Sequence, residues 1–285
     1  MSRIGTWIIA TLLLLLGGCS ALRLGYAQGP VLAYWWLDGY VDFSGEQTPL
    51  AKAALADWFA WHRQTQLPEY ATWLASLQSM TTEAATPQAM CQITEGAQRR
   101  MEMAYAHAVP AMAEILRSFT PAQLDHLAKR YARKNQEVQR DYLQPDPAER
   151  AEANLKRTVE RAEMLYGALD ESQRRLLAAG LAASPFDAQR WLDERRARQQ
   201  EIVRSLRALL AERAEPAAFQ AALRRLAADA VNSPRADYRA YRQRLLDANC
   251  ALAAQLHNSM KPAQRQHGAD KLKGWEEDFR ALAND

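Results

Sequence analysis

The sequence predicts an all-α fold, an antiparallel multi-helix bundle of about nine or ten helices behind an N-terminal leader. From residue 46 onward only five glycines occur, and no run alternates apolar with polar residues as a half-buried strand does. Prolines recur directly after residues that cap helices, a pattern typical of helix starts because proline is tolerated in the first helical turn. Six predicted starts share this pattern: Thr48-Pro49, Thr86-Pro87, Thr120-Pro121, Asp146-Pro147, Ser184-Pro185 and Ser233-Pro234. Weaker versions are Leu169-Asp170, Glu215-Pro216 and Lys261-Pro262.

The first eighteen residues have the organisation of an export signal. Arg3 precedes an apolar run from Trp7 to Leu16, and two glycines and Cys19 follow directly. The run is shorter than the roughly 20 residues that a membrane span needs. The stretch ending at Cys19 resembles the lipobox of bacterial lipoproteins, which implies cleavage before Cys19 and acylation of its sulfur. We therefore predict a lipoprotein signal peptide over residues 1–18; the alternative is an ordinary signal peptide with a chance cysteine.

Residues 19–29 are predicted to form a lipidated tether that links Cys19 to the helical domain. By the same resemblance, Ser20 in place of an aspartate implies sorting to the outer membrane, on its periplasmic face. The next segment, residues 30–43, places aromatic side chains all around a helical axis. Two interpretations are open: packing in the helical core, which we favour, or contact with lipid headgroups beside the anchor. The aromatic residues concerned are Tyr34, Trp35, Trp36, Tyr40 and Phe43.

Residues 30–285 are predicted to form the helical domain, with a candidate subdivision near residue 118. The segment 121–143 has one apolar face and one basic face, as an amphipathic surface helix does. Its apolar positions are Leu124, Leu127, Ala128, Tyr131, Val138 and Tyr142. Arg195 and Gln199 interrupt the apolar stripe of segment 185–213, which predicts a partly exposed middle or two packing units. We expect Pro68 and Pro110 to break or kink the helices that contain them.

Cys91 and Cys250 remain as one pair once Cys19 is assigned to lipid. In an oxidising compartment they could form a disulfide that closes a loop of about 160 residues. The alternative is that both are buried, reduced thiols, because sequence alone does not show whether their Cα atoms approach. Neither cysteine lies at the centre of its own apolar stripe at about 100° per residue, which favours a bridge at the edge of the surface.

The charge balance bears on the class of partner. The formal net charge is +3, which does not indicate a polyanion-binding protein. Residues 46–118 contain 5 basic and 7 acidic side chains, whereas residues 119–285 contain 29 and 24. The second half is therefore the part expected to meet anionic lipid headgroups or lipopolysaccharide. Nucleic acid is not an expected partner, because export places the protein away from it.

A short motif, Phe119-Thr120-Pro121-Ala122-Gln123, resembles the Leu-Thr-x-x-Gln motif of small periplasmic helical stress proteins and chaperones. Thr120 and Gln123 also fit a helix-capping box, and Phe119 and Leu124 fit the hydrophobic staple, so local helix chemistry is a sufficient explanation. Looser copies occur at residues 169–173 and 260–264.

A broader resemblance extends over nearly the whole chain. The segments that carry it are the lipobox, residues 34–38, residues 61–63 with Leu67-Pro68, residues 119–123, and residues 136–142 with Pro145. With these segments the chain is similar to the lipoprotein family of Gram-negative bacteria known as domain of unknown function 6279. This resemblance implies a helical, lipid-anchored envelope protein and supplies no activity and no catalytic residue.

No pattern in the sequence predicts a catalytic centre. The five histidines lack metal-ligand spacing, no serine stands in a nucleophile elbow, and no glycine-rich phosphate loop is present. We therefore predict no metal and no cofactor. Asp38, Asp42 and Glu46 recur every four residues and could align carboxylates, although a solvated acidic face is the favoured interpretation. His62 beside two tryptophans is interpreted as a packed or surface histidine.

Two functional hypotheses follow. The first is an outer-membrane-anchored periplasmic lipoprotein that acts without catalysis, as a binding, scaffold or chaperone-like protein for envelope proteins or anionic lipids. The second is a periplasmic hydrolase or a lipid- or cell-wall-modifying enzyme whose site assembles from distant residues. Its best candidates would be Asp38, Asp42 and His62.

Overall fold

A computed structural model describes residues 21–284 of the chain, so the predicted signal peptide and Cys19 lie outside the described residues. This part of the chain contains no strand, and the predicted all-α class is confirmed. It forms twelve α-helical segments, more than the predicted nine or ten, because two short helices precede Thr48 and one long rod is divided by a π-helical turn. The segments are α1 (Ala21–Ala27), α2 (Gly29–Val41), α3 (Gln47–Trp61), α4 (Leu67–Gln78), α5 (Pro87–Leu116), α6 (Pro121–Tyr142), α7 (Pro147–Tyr166), α8 (Glu171–Ala182), α9 (Ala188–Ala211), α10 (Pro216–Val231), α11 (Ala236–Asn258) and α12 (Pro262–Asn284).

The divided rod consists of α3, the π-helical turn His62–Gln66 and α4. Pro68 lies in the first turn of α4. Proline has no N–H to donate, and its ring clashes with the carbonyl group four residues earlier in a regular helix. The wider π turn directly before Pro68 lets the rod continue past it.

Helix α5 is the longest in the described chain, with 30 residues, and it packs against α3, α10 and α11. Pro110 lies inside α5, and the helix continues on both sides of it. The expected break at Pro110 is therefore wrong. Val109 and Ala113 beside it are fully buried, so tertiary packing holds the helix together at the position where one backbone hydrogen bond is missing.

Three of the six predicted cap-proline starts are confirmed, and Thr48 is not a cap because it is the second residue of α3. Thr86, Thr120 and Asp146 are N-caps whose side chains accept a backbone N–H from the first turn. Ser184 and Ser233 are not caps: each hydroxyl accepts the backbone N–H two residues later, across the intervening proline. These two Ser-Pro pairs thus belong to short turns, and α9 and α11 begin a few residues beyond them.

The buried side chains form two hydrophobic clusters. The first joins α5, α6, α9 and α10, and the second joins α7, α8 and α11. Helix α12 packs along α4 and also contacts α7. The first cluster includes Val109, Ala113, Phe119, Leu124, Leu127, Val203, Leu206, Phe219 and Leu223. The second includes Val159, Leu169, Leu177, Leu256 and Met260.

The α6–α9 interface contains a polar layer where the sequence pattern indicated exposure. Gln199 is buried, and its side-chain oxygen accepts a 2.7 Å hydrogen bond from Asn135. Arg195 donates to the Asn135 oxygen at 2.9 Å. The interruption in the apolar stripe of α9 is therefore matched by a polar partner on α6, and Gln199 is not exposed.

Candidate functional site

Two glutamine pairs fix helix starts to one another across the fold. Gln47 and Gln123 exchange side-chain hydrogen bonds, at 2.6 Å from the Gln123 amide and 3.4 Å from the Gln47 amide. Gln47 also donates to the Ser118 carbonyl at 3.0 Å, and Gln123 donates to the Asp42 carbonyl at 2.9 Å. Each glutamine thus donates to the backbone carbonyl of the residue just before the helix-start segment of the other, which is residues 119–123 for Gln123 and residues 43–47 for Gln47. We call this arrangement the first glutamine clamp.

The second clamp repeats the same geometry with Gln173 and Gln264. Their side chains exchange hydrogen bonds at 2.8 and 2.9 Å. Gln173 donates to the Ser259 carbonyl at 3.0 Å, and Gln264 donates to the Ala168 carbonyl at 2.8 Å. The motif and its looser copies therefore meet in pairs, in addition to capping their own helices.

Capping boxes accompany these clamps. The Thr120 hydroxyl accepts the Gln123 backbone N–H, and the Gln123 side-chain oxygen accepts the Thr120 backbone N–H at 3.0 Å. Ser44 and Gln47 make the same reciprocal bonds before α3. The sequence analysis missed this fourth copy, although Phe43-Ser44 followed by Gln47 has the required spacing.

Cys91 and Cys250 are joined by a disulfide between α5 and α11, with their Cα atoms 5.4 Å apart. Cys250 is buried, with 3% of its surface exposed, so the expected position at the edge of the surface is wrong for this residue. The reason is that α11 packs against α5 on the side of α11 that carries Cys250.

The candidate residues of the enzyme hypothesis make structural contacts. The Asp38 carboxylate accepts the Phe43 backbone N–H at 3.0 Å, and Asp42 ends α2 in a left-handed conformation with φ of 53°. His62 lies at the α3–π-turn junction, where its Nδ1 is 2.9 Å from the Tyr26 hydroxyl. It also stacks on Trp58, and burial lowers the pKa of its imidazole to about 4. At neutral pH His62 is therefore an uncharged core residue.

Helix α2 divides its aromatic residues between two faces. Tyr34 is buried, with its hydroxyl 3.1 Å from the Thr48 hydroxyl, and its ring stacks on Phe43. Trp35 and Trp36 are 64% and 63% exposed. The favoured interpretation of this segment as core is thus right for Tyr34 and wrong for the two tryptophans.

The exposed face of α2 is a continuous apolar stripe. Besides the two tryptophans it contains Val31 and Leu32, which are 53% and 58% exposed. At about 100° per residue these four side chains occupy an arc of about 140°. Leu24 of α1, just before α2, is also exposed. We call these five residues the α2 stripe.

Two cations flank α2 from neighbouring helices. The Lys52 ammonium of α3 lies 4.7 Å from the centre of the Tyr34 ring, and the Arg130 guanidinium of α6 lies 5.3 Å from the centre of the Tyr40 ring. Cations over aromatic faces are held by electrostatic attraction. The α2 stripe is thus accompanied by fixed positive charge.

None of the helices in residues 21–284 combines the length and apolar character needed to cross a bilayer. The same residues contain no group of three or more His, Cys, Asp or Glu side chains suited to hold a metal ion.

Comparison with known proteins gives one match. The model of a family described as a family of unknown function, DUF6279, matches residues 39–239 of the chain. No curated protein and no solved structure matches it. The matched region begins inside α2 and ends inside α11, so it includes the first glutamine clamp and the first hydrophobic cluster.

Proposed function

The chain belongs to the DUF6279 family of unknown function, and from that premise we propose that it is a lipoprotein anchored through Cys19 to the periplasmic face of the outer membrane. In this proposal the helical domain acts without catalysis, as a binding or scaffold protein for other envelope components. The leader supplies export and lipidation, and the domain supplies a rigid body at the membrane surface.

The observation that carries this proposal is the disulfide between Cys91 and Cys250. Disulfides persist in oxidising compartments such as the periplasm and are rare in the reducing cytosol. A disulfide inside the domain and an export signal before it therefore support the same location from two independent parts of the chain.

The contacts of polar residues support a scaffold rather than a catalyst. Gln47, Gln123, Gln173 and Gln264 are committed to the clamps, and His62 is committed to Tyr26 and the surrounding rings. A group that serves as acid or base needs access to a substrate proton. We therefore place the hydrolase hypothesis second, because two of its three candidates, Asp38 and His62, already hold structural partners.

The test compares wild-type protein with the Cys19→Ala variant by membrane fractionation, followed by cross-linking in cells and co-purification. We expect the wild type in the outer-membrane fraction with specific envelope partners, and the variant displaced from that fraction. An inert lipoprotein of similar abundance is the control for partner enrichment. A wild-type protein found in the cytosol, or one that enriches nothing above the control, would contradict the proposal.

The enzyme hypothesis has its own test in a strain that lacks the gene. Complementation by a triple variant, with alanine at Asp38, Asp42 and His62, is compared with complementation by wild type at equal protein level. Under the scaffold proposal, folded variant protein restores the wild-type phenotype. Loss of complementation by a variant with wild-type circular dichroism would favour the enzyme.

A further inference from the structure

We propose that the α2 stripe lies in the headgroup region of a phospholipid bilayer, so that the protein rests on the membrane through protein side chains as well as through its lipid. This inference rests on the proposed anchoring at Cys19, which it extends by naming a second contact with the membrane. The stripe consists of Leu24, Val31, Leu32, Trp35 and Trp36, as defined above.

The stripe is unusual in its composition for a surface in water. Two adjacent tryptophans more than 60% exposed, next to exposed valine and leucine, form a large apolar area on the surface of the described residues. Soluble monomers rarely expose contiguous apolar patches of this kind, and such patches mark protein or membrane contacts. The opposite face of α2, with Tyr34, is buried against the domain. Both faces of α2 are therefore apolar, and within residues 21–284 only one of them is buried.

The chemistry of the stripe favours lipid as the partner. Tryptophan is enriched at membrane interfaces, where its ring contacts acyl chains and its N–H remains among hydrated headgroups. Aliphatic side chains beside it add the apolar area that holds an amphipathic helix about 5–10 Å into the headgroup boundary. With 13 residues, α2 is about 20 Å long. A helix of this length can lie along the membrane surface without spanning the bilayer.

The charges beside the stripe fit the same partner. Lys52 is exposed, and with Arg130 it flanks α2 from α3 and α6. Phosphate groups of lipid headgroups would meet these cations when the stripe enters the interface, and basic residues near an anionic surface are attracted to it. A partner protein would need an acidic, apolar surface to match the same features.

The position of the stripe in the chain supplies the last argument. Helix α1 begins at Ala21, two residues after Cys19, and α2 begins at Gly29. A lipid on Cys19 would therefore hold the stripe within a few helical turns of the bilayer. A second contact, made by protein side chains, adds buried apolar area and so strengthens binding to the bilayer. The α2 stripe is placed to provide that second contact.

The test uses the mature, full-length lipoprotein reconstituted into vesicles of phosphatidylethanolamine and phosphatidylglycerol, with and without brominated acyl chains. Bromine quenches tryptophan emission only at short range, so quenching reports tryptophans that enter the bilayer. The informative variant is Trp35→Phe with Trp36→Phe, which keeps the surface apolar. The matched control is Trp191→Phe. Trp191 lies on α9 and contacts Tyr142, the last residue of α6, whereas Arg130, which contacts α2, lies in the middle of α6.

We expect bromination to quench part of the emission in wild type and in the Trp191→Phe control. In the double variant this quenched fraction should fall at least two-fold. Equal quenching in all three proteins would overturn the inference and leave the proposed anchoring intact. The same holds if the wild-type protein sediments with vesicles but bromination does not quench its emission. Wild type that does not sediment with vesicles contradicts both. If bromination quenches the emission only after other envelope proteins are added to the vesicles, the inference is also overturned, and a protein partner is favoured.

Discussion

Gln47 and Gln123 donate a hydrogen bond to each other's side chain, and each also donates to the backbone carbonyl that precedes its partner's motif. Gln173 and Gln264 repeat this arrangement elsewhere in the fold. Two reciprocal clamps thus join helix starts that are far apart in sequence. Because both glutamines of the first clamp are buried, their amides replace water as partners of the carbonyls they cover.

The first prediction concerns this clamp. Gln123→Ala leaves the Asp42 carbonyl, the Thr120 backbone N–H and the Gln47 side chain without their partner, and it should lower the free energy of unfolding by about 2–3 kcal/mol. Urea unfolding measures the loss. The control is Gln243→Ala, because exposed Gln243 makes only a local bond to Asp247, and we expect a change below about 0.5 kcal/mol.

A double-mutant cycle tests whether Gln47 and Gln123 act as a unit. Residues in one hydrogen-bond network show interaction energies of about 0.5–3 kcal/mol. The double alanine variant should therefore lose less stability than the sum of the two single variants. If the two single losses of stability add up to the loss in the double variant, Gln47 and Gln123 do not act as a unit.

The second prediction concerns the disulfide between Cys91 and Cys250, which are 159 residues apart in sequence. Cross-linking residues so far apart restricts the unfolded chain, and native disulfides typically contribute about 2–4 kcal/mol. Reduction, or the Cys91→Ser and Cys250→Ser double variant, should lower the urea midpoint accordingly. A peptide map without reductant that shows both thiols free in protein from the periplasm would contradict the bridge.

The third prediction is a dependence of stability on pH through His62. Its pKa is about 4 in the folded protein and about 6.5 in the unfolded chain. Between these values the unfolded chain binds more protons, so the stability that neutral His62 provides is present above pH 6.5 and is lost as the pH falls toward 4. Partial solvent screening limits this loss to about 1–2 kcal/mol.

The measurement is the free energy of unfolding at pH 7 and pH 4.5, for wild type and for His62→Gln. The variant should be less stable than wild type at pH 7, because it loses the stacked ring. Between pH 7 and pH 4.5 its free energy of unfolding should fall by less than that of wild type. Burial also lowers the pKa of His257, and this contribution is present in both proteins. Identical pH dependence in the two proteins would show that His62 is not buried as described.

The fourth prediction uses two helical glycines. A Cβ added at Gly180 of α8 would lie 2.3 Å from Leu252 Cδ1 of α11, whereas at Gly274 of α12 it would meet nothing within 4 Å. Gly180→Ala should leave the free energy of unfolding unchanged or lower it by up to about 1 kcal/mol, because the Leu252 side chain must move and this cost offsets the gain in helix propensity. Gly274→Ala should raise it by about 0.5–1 kcal/mol through helix propensity. Equal effects at the two sites would contradict the close α8–α11 packing.

Sequence patterns were sufficient for the fold class and for several helix starts, because caps and proline act within a few residues. Thr86, Thr120 and Asp146 cap their helices through side chains that contact only the following turn. Ser184 and Ser233 fit the same pattern and are not caps, because a serine before proline can also close a short turn. Local chemistry alone does not separate these two outcomes.

The features that sequence reasoning missed depend on distant contacts. Pro110 remains inside α5 because packing buries Val109 and Ala113 close to it, and Gln199 is buried because α6 offers Asn135. The pairing of the glutamine motifs joins residues 76 and 91 positions apart. Trp35 and Trp36 are exposed because the domain occupies only one face of α2, which an aromatic pattern around a whole helix does not indicate.

We propose that Cys19 carries the lipid that holds this helical domain at the membrane. Mass spectrometry of the N-terminal peptide of the protein purified from its native cells tests this claim directly. We predict a chain that begins at Cys19 and carries acyl groups on its sulfur-linked glycerol and on its amino group. An unmodified chain that still begins at Met1, recovered from the soluble cytosol, would contradict the account.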